Sequence, residues 1–89
     1  MPPFTDTQLP VAIDAIAPYA FAMFPPPHLT DLQDAKNRVG EAIAIFQRNT
    51  KKRPTANDVI DLMESTLGPK LGVRPDITLI DPAFATYAM

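Results

Sequence analysis

Residues 9–28 read LPVAIDAIAPYAFAMFPPPH, and how this run is interpreted decides the fold. Its first sixteen residues carry a single charge, Asp14, before the chain meets three consecutive prolines. It could be a membrane segment, a core helix or a surface that another chain covers. A bilayer span needs about 20 apolar residues. This run is shorter and is interrupted by Pro10, Asp14 and Pro18. Peripheral membrane attachment would need a basic polar face, which it lacks. No membrane span is therefore expected.

A helix can start just before the run. Thr5, Asp6, Thr7 and Gln8 fit a capping box, in which a hydroxyl and a Gln side chain satisfy each other's backbone donors. With Thr7 as the cap, Pro10 falls at the third helical position, where a missing N–H costs little. Pro18 is expected to end or kink this first helix near Ala17, because proline removes a donor and crowds the preceding turn. Residues 19–24 would then form a second short turn, and Pro25, Pro26 and Pro27 a polyproline-II strut.

Outward from that run lie two clearer helices. Thr30, Asp31, Leu32 and Gln33 form a second capping box, with Asp31 and Asp34 at the positive end of the helix dipole. Leu32, Ala35, Val39, Ala42 and Phe46 follow at alternating spacings of three and four, a heptad-like stripe. Ile43 and Ile45 lie off that stripe, which makes the last turns apolar on more than one side. Asp34 and Arg38 are spaced for an i,i+4 pair. Gly40 sits mid-helix at a cost of about 1 kcal/mol relative to alanine, a cost that close approach by another helix would justify. The third helix begins after Pro54, with Thr55 and Asp58 as cap, and stops at Gly68 and Pro69. Ala56, Val59, Ile60, Met63 and Leu67 form its apolar face, and Asn57, Asp58, Asp61 and Glu64 its wet side.

The 89 residues make one domain, and a chain this short buries only about 60% of the surface its unfolded form exposes. Hydrophobic residues make up 46% of it, and 11 prolines stand against 3 glycines, a balance that favours short helices joined by stiff connectors. The fold class expected is all-α: a small three-helix domain spanning residues 1–89. Helix one is kinked or split at Pro18, and helices two and three form a hairpin. Extended proline-rich arms occupy about 1–6 and 70–89. In the second arm, Pro75 and Pro82 bracket Ile77, Thr78, Leu79 and Ile80. That run suits a short strand with no convincing partner strand in the sequence. Residues 83–89 add Phe84, Tyr87 and Met89 without a charged side chain.

Catalytic chemistry finds little to work with. The chain has no cysteine, which excludes thiol nucleophiles, thiolate zinc sites and disulfides. His28 is the only histidine and Ser65 the only serine, so a serine nucleophile would need those two in contact. Asp58, Asp61 and Glu64 drift round a helix by about 60° per step and do not converge on a metal. No glycine-rich phosphate loop is present. No cofactor and no enzymatic role are expected. Arg48, Lys51, Lys52 and Arg53 form the one basic cluster, a possible anion contact. The net charge of −2 and the acidic residues on helix three argue against a nucleic-acid partner.

The expected function is therefore a non-catalytic structural or adaptor subunit of a larger assembly, of the virion, connector or accessory-subunit kind. It would bind other protein subunits, as a homo- or hetero-oligomer, through Tyr19, Phe21, Met23, Phe24, Ile77, Leu79, Ile80, Phe84 and Tyr87. The alternative is a small regulator binding nucleic acid or an acidic partner through Arg48, Lys51, Lys52 and Arg53. The residues at 1–6 lack the basic start of a secretion signal, so a cytoplasmic or virion location, with assembly inside a cell, is expected.

Overall fold

Three helices account for most of residues 2–68, the part of the chain that the structure, a computed structural model, describes. They are α1 (Gln8–Met23), α2 (Leu32–Thr50) and α3 (Ala56–Leu67), with no strand among the described residues. The all-α expectation holds. The central element is α2, against which both α1 and α3 pack. The C-terminal arm at 70–89 lies outside the described residues.

The entry to α1 uses the Thr5 box. Gln8 N–H donates to Thr5 Oγ1 at 3.2 Å, and Thr5 N–H donates to Gln8 Oε1 at 3.0 Å. Leu9 N–H already donates to the Thr5 carbonyl in helical fashion. Pro10 thus sits within the first turn, where no intrahelical bond is lost. Within the arm expected at about 1–6, Phe4 is held against the helices. Phe4 is buried, and its N–H donates to Gln47 Oε1 of α2 at 2.7 Å.

Helix α1 is neither split at Pro18 nor ended there; it runs on to Met23. Two magnitudes explain this correction. An interior proline costs about 3 kcal/mol. Met23 and Phe24, placed beyond it, are both fully buried, and full burial of such a side chain contributes about 1.5–3 kcal/mol. Together they match or exceed the cost. Pro18 and Asp14 are also exposed, so the Asp14 carbonyl that loses its donor lies on the solvent side and can bond water.

The proline triplet is a turn rather than a polyproline-II strut. His28 N–H donates to the Pro25 carbonyl at 3.0 Å, Leu29 N–H donates to the Phe24 carbonyl at 3.1 Å, and the Pro26–Pro27 bond is cis. Phe24 and Leu29 are both fully buried in the same core. A polyproline-II segment rises about 3.1 Å per residue and would drive those two side chains apart.

Helix α2 is capped one residue later than the sequence suggests. Asp31 is the N-cap, accepting from Asp34 N–H at 2.8 Å, while Asp34 Oδ2 accepts from Thr30 N–H at 3.1 Å. With its carboxylate turned to the cap, Asp34 is not paired with Arg38, whose guanidinium instead approaches Glu41 at 4.0 Å. The buried face is Ala35, Val39, Ala42 and Ile43. Leu32 is exposed at the helix start, and Phe46 is half-buried. Lys51, in the left-handed conformation, ends the helix.

Helices α1 and α2 approach closely at Gly40. A Cβ there would lie 3.2 Å from Ile13 Cδ1 of α1. Helix α3 follows the sequence reading closely. Thr55 and Asp58 form the reciprocal capping box, and Ala56, Val59, Ile60 and Met63 are buried. Gly68, at φ 97°, ends the helix in a conformation that glycine adopts without penalty.

Candidate functional site

Among the described residues, two surfaces leave apolar side chains partly exposed. One is the outward face of α1. Ala12, Ile16, Ala20 and Met23 point into the core. Along the flank of that face, Val11, Pro18, Tyr19 and Ala22 are exposed, and Ala15, half-buried, packs against the core. Their spacing of i, i+4, i+7, i+8 and i+11 makes a second apolar stripe along the same helix. The one charge on α1, Asp14, meets Lys36 Nζ of α2 at 3.4 Å, with side chains 64% and 35% exposed. So exposed a pair contributes little to stability.

The second surface is a groove of about 80 Å³ between α2 and α3. Ala42, Ile45, Leu62, Met63 and Leu67 form its apolar lining, with Arg38, Glu41 and Thr66 at its rim. Ile45 is 40% exposed there.

The aromatic cluster expected to contact partners divides. Met23 and Phe24 have no exposed surface; they belong to the chain's own core and are not available to another protein. Phe21 is half-buried against that core. Only Tyr19, at 38%, is open to solvent. Val11, Pro18 and Ala22 were not among the expected contact residues; a helical projection carried through Pro18 aligns them with Tyr19. Ile77, Leu79, Ile80, Phe84 and Tyr87 lie outside the described residues.

The basic cluster also divides. Arg48, Lys51 and Lys52 are exposed, whereas the guanidinium of Arg53 lies 4.6 Å from the centre of the Phe4 ring. A cation over a ring at this range is attracted by its negative face, and this contact ties the amino-terminal segment to the α2–α3 loop. His28 stands against Phe24, ring centres 6.2 Å apart. The Ser65 hydroxyl donates to the Asp61 carbonyl within α3, a bond typical of a helical serine. Among the described residues, no group of three or more acidic or histidine side chains is close enough to hold a metal ion. No helix among them is long and apolar enough to cross a membrane. No protein-family model matches the chain, and no curated protein or solved structure matches it either.

Proposed function

We propose that this chain is a small non-catalytic subunit or adaptor, assembled inside a cell, that works by binding other protein chains. The observation that carries the reading is that the apolar surface of α1 extends beyond its buried face. A helix hydrophobic all round is ordinarily covered all round, and here α2 covers only one side. The outward stripe of Val11, Ala15, Pro18, Tyr19 and Ala22 is the surface offered to a neighbour, with Tyr19 as its one large aromatic anchor. Aromatic residues of this kind are enriched at the centres of protein interfaces.

A photo-reactive phenylalanine analogue at Tyr19 tests the reading in the purified full chain. Covalent dimers or larger species should form from that position, and not from the same probe at Asp61, which is exposed on α3. Equal yields at the two positions, or none at Tyr19, would remove the support.

A further inference from the structure

We propose, on the reading of the α1 stripe as a contact surface, that this chain joins head to tail with copies of itself: Tyr19 of one copy seats in the groove between α2 and α3 of the next. Size narrows the choice of occupant first. Pockets for drug-sized ligands and cofactors measure about 300–1,000 Å³, and an apolar cavity of about 150 Å³ holds one benzene. The groove, at about 80 Å³ and open to solvent, takes the outer part of one ring-sized side chain and nothing larger. Among the described residues, the large apolar side chains that stand exposed are Val11, Tyr19, Leu32 and Ile45. Ile45 belongs to the groove itself. Of the other three, only Tyr19 joins an apolar ring to a polar tip.

The groove divides in the same way as that side chain. Ile45, Leu62 and Leu67 give it an apolar wall, and Arg38 and Glu41 stand at its rim. A phenol ring laid on the wall brings its hydroxyl to the rim, where the Glu41 carboxylate accepts and the Arg38 guanidinium donates or covers the ring. Both rim groups are able to turn to it, because their own contact is 4.0 Å long and solvent-exposed. Charge does not oppose the approach. Asp14, the one charge on α1, is offset by Lys36 at 3.4 Å, and Arg38 and Glu41 offset each other. The fold also keeps the two surfaces apart. Helix α1 packs on the side of α2 that carries Lys36 and Gly40. Ile45, nine residues on from Lys36, stands about 180° away at about 100° per residue. The helix that bears Tyr19 and the groove thus lie on opposite sides of α2 and share no residue. One copy can fill a neighbour's groove while its own is filled. Such a heterologous contact continues as a ring or filament instead of closing on a symmetric pair.

Mixing two defective variants of the full chain tests this. Y19D keeps the groove and lacks the ring; I45D keeps the ring and places a charge inside the groove. Alone, each should associate at least about 30-fold more weakly than the parent, the effect of removing a central aromatic anchor or its pocket. Mixed in equal amounts, the two should pair through the one intact ring and the one intact groove. Sedimentation velocity should then show a two-chain species, twice the 9.8 kDa of a single chain, and nothing larger. Circular dichroism checks that each variant stays helical. T66R, which blocks the groove from an exposed position at its rim, replaces I45D if that variant does not fold. A parent that associates while the mixture stays at 9.8 kDa would overturn the proposal. So would association that is lost in Y19D but kept in I45D and T66R, which removes the groove and leaves the α1 stripe as the contact surface. A parent that stays single at every concentration would overturn both.

Discussion

Replacing Phe24 by alanine separates a core role from a partner role at this position. Phe24 heads the fully buried side chains, and its neighbours Met23, Ile16 and Leu29 are fully buried as well. Its backbone also holds the turn, donating to Ala20 and accepting from Leu29. Truncating a buried phenylalanine to alanine typically costs 3–5 kcal/mol, the transfer loss plus the cavity left behind. At about 0.05–0.15 kcal/mol per residue, a chain of 89 residues has a total stability of about 4–13 kcal/mol. One substitution would consume much of that. Urea unfolding followed by circular dichroism reads the effect. With a slope near 1 kcal/mol/M, at the low end for small proteins, the midpoint should fall by about 3–5 M. The variant would then be largely unfolded without denaturant unless the parent is unusually stable. A Y19A control, truncated at an exposed site on the same helix, should change stability by no more than about 0.5 kcal/mol. If Phe24→Ala kept its midpoint and instead lost association with other chains, the assignment of Phe24 to the core would be refuted.

Other substitutions probe single contacts. Gly40→Ala should raise stability by up to about 1 kcal/mol, the helix-propensity gain, because the methyl meets only the free end of the half-buried Ile13 side chain. Gly40→Leu should instead force α1 away from α2 and cost about 1–3 kcal/mol; thermal melts of the pair measure both. Asp31→Ala and Thr55→Ala each remove an N-cap bond that the structure shows, and each should cost about 1 kcal/mol in denaturant unfolding. Arg53→Ala should cost about 1 kcal/mol through loss of its packing on Phe4, while Lys52→Ala, at an exposed site, should stay within about 0.5 kcal/mol. Equal effects at 52 and 53 would remove the structural role given to Arg53.

Local chemistry was the legible part of this fold. The Thr55–Asp58 box, the buried face of α3 and the close approach at Gly40 all follow from short-range rules, and all three are present. The course of residues 18–29 was not legible, because it depends on tertiary burial. Whether a helix tolerates Pro18 is decided by what lies beyond it, here Ala20, Met23 and Phe24, and by which side the lost bond falls on. The burial of Met23 and Phe24 is likewise a tertiary effect. Ala12, Ala17, Ala20, Ala35 and Ala42 are small and buried, and Gly40 lies close to Ile13, while Met23 and Phe24 are buried in the same core. With those two side chains interior, the apolar side chains still exposed on α1 are Val11, Pro18, Tyr19 and Ala22. Tyr19 is the one residue common to both readings.

Sedimentation equilibrium of the untagged full chain over a wide concentration range tests the assembly role most directly. Association predicts a weight-average mass that rises above the 9.8 kDa of a single chain and falls back towards it in a Y19D variant that remains helical. A stable, well-dispersed 9.8 kDa species at every concentration, identical for parent and variant, would contradict it.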